Sequence, residues 1–86
     1  MIEYTFIIKD KNGLHARPAG KLCSLCKGFC SQIKVLANGK EADGKRLLSL
    51  MSLGATYNTE IKVEISGSDE NEAELAIKEH VERELK

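Results

Sequence analysis

The sequence predicts an α+β domain in which helices pack on one side of a mostly antiparallel sheet. Three observations carry this reading. Three short runs alternate apolar and polar residues, and three others repeat apolar residues at helical spacing, so strands and helices share the chain. An Asn38-Gly39 pair is the strongest short signal for a two-residue hairpin, which makes the strands on either side of it antiparallel. Finally, 86 residues, 42% of them apolar, suffice for one core but not for two. Residues 1–86 are therefore expected to form a single domain, too small to enclose a substrate in a deep cleft.

The elements follow in order. From Ile2 to Ile8 the even positions Ile2, Tyr4, Phe6 and Ile8 are apolar, against Glu3 and Thr5 on the other side, the pattern of a half-buried strand. Asp10-Lys11-Asn12-Gly13 has turn chemistry, and the alternation stops at Leu14-His15-Ala16-Arg17-Pro18. A helix is expected to start there, because proline is tolerated in a first turn whose N–H groups have no intrahelical acceptor. Ala19, Leu22, Cys23 and Cys26 then recur at helical spacing until Gly28. Ile33, Val35 and Ala37 form a second strand that turns at Asn38-Gly39 into a short third, Lys40 to Asp43. Leu47, Leu48, Leu50 and Met51 predict a helix of about two turns, apolar over more than one face, that stops at Gly54. Ile61, Val63 and Ile65 alternate with charged residues in a fourth strand. Ser68 or Asp69 is expected to cap a last helix whose inner stripe is Ala73, Ala76, Ile77, His80 and Val81, with Lys86 suiting its end.

Composition excludes several functions. Thirteen basic and thirteen acidic residues cancel, which argues against nucleic-acid binding through a phosphate-neutralising surface. The charges are nevertheless segregated: nine of the basic and four of the acidic residues lie in residues 1–50, so the first half suits an acidic partner unless the pattern is merely a solvated surface. Leu47 to Leu53 is broken by Ser49 and Ser52, far short of the roughly 20 apolar residues of a spanning helix, and no membrane insertion is expected. The start, Met1-Ile2-Glu3-Tyr4, lacks the basic and apolar regions of a signal peptide, so a cytoplasmic location is expected. Cys23, Cys26 and Cys30 are then reduced thiols. Their spacing invites a metal site, but no second cysteine pair completes one, and the expected role is apolar core.

His15 is the best candidate for chemistry. It precedes a helix start, where the open N–H groups of Ala16 and Arg17 form an anion site and the positive end of the helix disfavours a neighbouring cation. A neutral imidazole is a competent nucleophile, and the same N–H groups with the Arg17 guanidinium could hold the oxygens of a transferred phosphoryl group. The plainer alternative makes His15 a helix cap and no more. His80, the other histidine, falls on the inner edge of the last helix and is expected to be a satisfied packing residue. No serine–histidine–aspartate triad, phosphate loop or dinucleotide glycine pattern can be assembled.

Asn12-Gly13-Leu14-His15-Ala16-Arg17-Pro18-Ala19 closely resembles the active-centre signature of the HPr family, the histidine-containing phosphocarriers of the bacterial phosphoenolpyruvate-dependent sugar phosphotransferase system. Asn38-Gly39-Lys40, Met51-Ser52-Leu53-Gly54 and Gly67-Ser68-Asp69-Glu70-Asn71 resemble the family at matching spacing, so the likeness covers essentially the whole chain. The resemblance implies an open-faced β-sandwich, a four-stranded antiparallel sheet with three helices on one face. It implies that His15 accepts a phosphoryl group on Nδ1 from phospho-enzyme I and passes it to IIA domains of sugar permeases, with Arg17 assisting. A carrier with a phosphohistidine intermediate is implied rather than a stand-alone turnover enzyme, acting as a monomer without cofactor or metal. Leu47, Leu48 and Met51 align with the family's docking surface, with plain core as the alternative role of any single one of them. One position departs from the pattern. Arg46 stands where many Gram-positive members carry a regulatory serine, which leaves no regulatory site assigned. The same resemblance also fits an HPr-like regulatory interaction module in a nitrogen-related or other paralogous phosphotransferase system.

Overall fold

A computed structural model describes residues 1–85 and orders them as β1 (Ile2–Ile7), α1 (Ala16–Lys27), β2 (Gln32–Ala37), β3 (Lys40–Asp43), α2 (Leu47–Met51), β4 (Glu60–Ser66) and α3 (Glu70–Glu84). The four strands form one antiparallel sheet in the order β1-β4-β2-β3. The alternation read from the sequence sorts the two faces. Phe6 and Ile61 are register partners, Val35 and Val63 pair in the middle of the sheet, and all four are buried beneath the helices. The other face carries Glu3, Thr5, Lys62, Glu64 and Lys34, laced by exposed ion pairs such as Lys62–Glu3 at 3.4 Å. Such pairs contribute little stability, so the sheet is held by its apolar face.

Asn38 and Gly39 take φ values of +54° and +75°, the left-handed pair that a tight hairpin between β2 and β3 requires. The core is continuous from Ile8 and Leu22 through Ile33, Leu50, Leu53 and Ile65 to Ile77 and Leu85, each almost wholly buried. Among the described residues no helix is long and apolar enough to cross a membrane.

Several expectations need correction. α2 has five residues, not two full turns, because Ser52 closes it and Gly54 swings to φ +65°. Cys23 and Cys26 are core, and burial, followed by the neighbouring Cys23 thiol, pushes Cys26 up to about 12, which keeps it unreactive. Cys30, beyond the end of α1, is exposed and is not part of the core. Asp69 stands at the start of α3, yet its carboxylate makes no cap hydrogen bond. It turns to the α1–β2 loop instead, accepting from Cys30 N–H at 2.8 Å, Ser31 N–H at 2.9 Å and the Ser31 hydroxyl. Three converging donors outweigh the single bond that a cap offers. Lys86, expected to suit the end of α3, lies outside the described residues.

Candidate functional site

His15 is the N-cap of α1, with extended backbone (φ −85°, ψ −173°) and no side-chain cap hydrogen bond. The imidazole is exposed and leaves the helix end alone, so the structure does not support a purely capping role. The first turn explains what remains open. Pro18 has no N–H, and Ala19 N–H already reaches His15 carbonyl at 3.0 Å, so the first-turn donors without a partner among the described residues are those of Ala16 and Arg17. No acidic residue occupies this turn. The first turn itself supplies no carboxylate to the positive end of the helix, and Arg17 adds a further charge to it.

The loop before His15 is clamped from both sides. Asn12 N–H bonds the Asp10 side chain at 2.8 Å, Gly13 N–H bonds Asp10 carbonyl at 3.0 Å, and Leu14 N–H bonds Ala55 carbonyl at 2.9 Å. Gly13 has φ +69°, and a Cβ there would lie 2.5 Å from Ala55 carbonyl oxygen and 2.7 Å from Thr56 Cα. Glycine is thus required twice over, for its dihedral and for its lack of bulk. The 55–59 segment that backs the loop is itself tied down, Asn58 N–H to Ile8 carbonyl at 2.8 Å and Thr56 N–H to Thr59 Oγ1 at 3.0 Å. Sequence reading missed this support; the turn glycine was its one visible signal.

His15, Arg17, Pro18, Asp10, Asn12 and Glu84 line a single shallow hollow. Glu84 is held by Lys21, whose Nζ donates to it at 2.8 Å, and this bond keeps the Glu84 carboxyl below its usual range. The hollow is lined by His15 and Arg17, and Ala16 lies between them in the chain. It also contains the far end of α3, which nothing in the local pattern indicated.

Of the apolar residues of α2, Leu50 is buried in the core while Leu47, Leu48 and Met51 are exposed, Leu48 to 81%. α2 packs against α1, so this ridge belongs to the same layer as the His15 helix. Arg46 precedes it as the N-cap of α2, its Nε 3.9 Å from Asp43 carboxylate and its side chain largely in solvent.

Comparison with known proteins bears directly on this corner. Residues 2–83 match the family model described as "PTS HPr component phosphorylation site". The chain belongs to the HPr family. It is 42% identical over 84 residues to the phosphocarrier protein HPr of Mycoplasma genitalium, covering 96% of each chain. Among solved structures, it is similar to a mycoplasma histidine-containing phosphocarrier protein with a TM-score of 0.91, at 36% identity over 93% of this chain and 91% of that one. HPr from Thermoanaerobacter tengcongensis gives a TM-score of 0.90 at 39% identity, covering 95% and 92% of the two chains. This HPr-family chain is accordingly a phosphocarrier-type protein of the phosphotransferase system, and its four-stranded sheet with three helices is the family's open-faced sandwich.

His80 was expected to be a satisfied packing residue. It is buried, at 4% exposure, but its Nε2 has no hydrogen-bond partner among the described residues. Burial holds its pKa below the usual histidine value; Glu84 opposes that shift, and Arg83 and Lys21 add to it.

Proposed function

We propose that His15 is the phosphoryl acceptor of this phosphocarrier, loaded by phospho-enzyme I and discharged to IIA domains of sugar permeases in the cytoplasm. The observation that carries the reading is an uncapped, exposed imidazole beside two open first-turn N–H groups. The lone pair of Nδ1 forms the nitrogen–phosphorus bond while the donor's bond to phosphorus breaks and the donor keeps its electron pair. Delivery to the IIA domain reverses the exchange. Ala16 and Arg17 N–H groups and the Arg17 guanidinium hold the phosphoryl oxygens, whose charge is the main thing a phosphoryl-transfer site must stabilise.

An open hollow suits a carrier, because each partner completes the site in turn. The exposed Leu47, Leu48 and Met51 form the docking ridge in this reading, and the 86 residues act as one monomeric domain. Arg46 has no hydroxyl to offer a serine kinase, so regulation at that position is lost. Incubation with phosphoenolpyruvate and enzyme I, followed by intact mass measurement, should show a single adduct of about 80 Da, one phosphoryl group. Peptide mapping should place it on His15, and it should be lost in mild acid and survive mild base. An adduct on any other residue overturns the assignment.

A further inference from the structure

Behind the His15 hollow, α1 and α3 leave an open groove between them, lined by Arg17, Lys21 and Ser24 of α1 and by His80 and Arg83 of α3. Its charge is unusual for this molecule. Lys21 is engaged by Glu84, whose carboxylate also feels Arg83, yet neither Arg17 nor Arg83 forms a close ion pair among the described residues, so the groove carries three cations against one nearby carboxylate. At the same groove lies His80, the buried residue whose Nε2 lacks a partner among the described residues. Buried polar atoms are almost always paired, and an orphan in a native fold calls for a ligand or some other explanation. A third observation is independent of both. Gly20 sits inside α1 and lines this groove, where a Cβ would meet nothing within 4 Å. Glycine inside a helix is unfavourable relative to alanine, and no packing contact accounts for it here. The position borders open space, which a large side chain there would occupy.

We propose that the α1–α3 groove is a second anion site, which takes a small phosphate-bearing molecule. Arg17 and Arg83 grip its oxygens from the two helices and Ser24 donates its hydroxyl. The His80 imidazole, in the tautomer with its proton on Nε2, supplies the donor that is otherwise idle. Because that nitrogen is itself enclosed, the ring turns toward the groove or an oxygen reaches down to it. Arg17 lines both the groove and the His15 hollow. One guanidinium cannot serve two anions fully, so an occupied groove opposes phosphorylation of His15. By linkage, a phosphorylated His15 weakens groove binding by the same factor. This competition, unlike the binding itself, rests on the role proposed above for His15.

The test uses the full chain, with inorganic pyrophosphate as the probe and chloride at equal ionic strength as the control. Saturable binding is expected, with NMR shifts at Ser24, His80 and Arg83. Arg83→Ala should weaken it about tenfold, the loss of one charge-assisted contact, and Gly20→Leu should block it by filling open space. Both variants should take up phosphoryl groups at the parent rate when pyrophosphate is absent, and pyrophosphate should slow uptake in the parent chain alone. Shifts confined to Ala16 and Arg17, with no effect of Arg83→Ala, would reduce the site to the helix end and overturn the proposal. So would a response no different from chloride. Binding that persists while His15 takes up nothing would instead leave the groove intact and remove the phosphocarrier assignment of His15.

Discussion

The starts of α1 and α3 are two helix N-termini in one small fold, and they are treated in opposite ways. α3 begins among carboxylates: Glu70 and Glu72 occupy its first turn, Glu70 Oε1 accepts from Gly67 N–H at 3.1 Å, and Asp69 ties the helix start to the α1–β2 loop. α1 begins with no acid, an uncapped histidine, two N–H groups that find no partner among the described residues, and an arginine. The first arrangement settles the helix end with the chain's own anions. In the second that place is left open, and the nearest unassigned charge is positive. A helix start whose electrostatics are unfavourable in isolation is therefore the better candidate for chemistry, because an incoming anion completes it.

The sharpest way to break this contrast is to remove the central residue of each corner. His15→Ala should abolish phosphoryl uptake, measured by intact mass, while thermal melting hardly changes, since His15 makes no cap bond to lose. Asp69→Ala should do the reverse. Three donors lose their acceptor, the melting temperature should fall clearly, and uptake should persist at temperatures where the variant stays folded. Uptake retained by His15→Ala, or an unchanged melting curve for Asp69→Ala, would show that the two corners do not divide function and stability in this way.

How far each corner was legible in the sequence follows from the same difference. The open corner is built from neighbours in the chain: Leu14 to Pro18 announce a helix start, and His15, Ala16 and Arg17 cannot be far apart. The closed corner depends on Asp69 reaching Ser31, 38 residues away, and no local period encodes that reach. The same holds for Gly13 against Ala55 and Thr56, and for His80, whose burial followed from helical phase but whose missing partner did not. The strands were legible because alternation has a period of two residues whatever the sheet order. The order β1-β4-β2-β3 was beyond local pattern for that very reason.

Within the open corner, Arg17→Lys tests whether geometry or charge matters. Lysine keeps the charge but lacks the planar fork that can hold two phosphoryl oxygens. Transfer should slow tenfold or more, a barrier increase of about 1.4 kcal/mol or above, in rapid-quench measurements with matched salt. Equal rates would reduce Arg17 to a point charge.

The two ends of α3 should also separate by pH. At its start, hydrogen bonds from Ser31 and Cys30 hold the Asp69 carboxyl below its usual value of 3.8, so the stability it gives is complete above that pH and lost as pH falls through the folded value. Toward its end, burial lowers His80 from 6.5. Between the folded value and 6.5 the unfolded chain binds a proton that the folded chain refuses, so stability falls as pH drops through that window. Denaturant titrations should show both steps, and His80→Leu should flatten the upper one alone. An upper step unchanged in His80→Leu would assign it to another group.

The smallest expected effect contrasts α1 with α2, whose start carries a cation too. Arg46 caps α2 with no side-chain bond and reaches Asp43 only at 3.9 Å, with 77% of its side chain exposed. A cation at that end costs about 0.3 to 1 kcal/mol, and an exposed pair returns little of it. What Arg46 contributes instead is positive potential on the layer that holds His15 and the α2 ridge, which speeds encounter with an acidic partner. Arg46→Glu should thus slow phosphoryl transfer from enzyme I at low salt, by less than Arg17→Lys does. The deficit should shrink as salt is raised toward 1 M, where the screening length falls to about 3 Å. Stability should not fall in parallel, because glutamate suits a helix start better than arginine. A deficit that ignores salt would mean that the substitution acts through the shape of α2, and the likeness between the two cationic helix starts would end at Arg17.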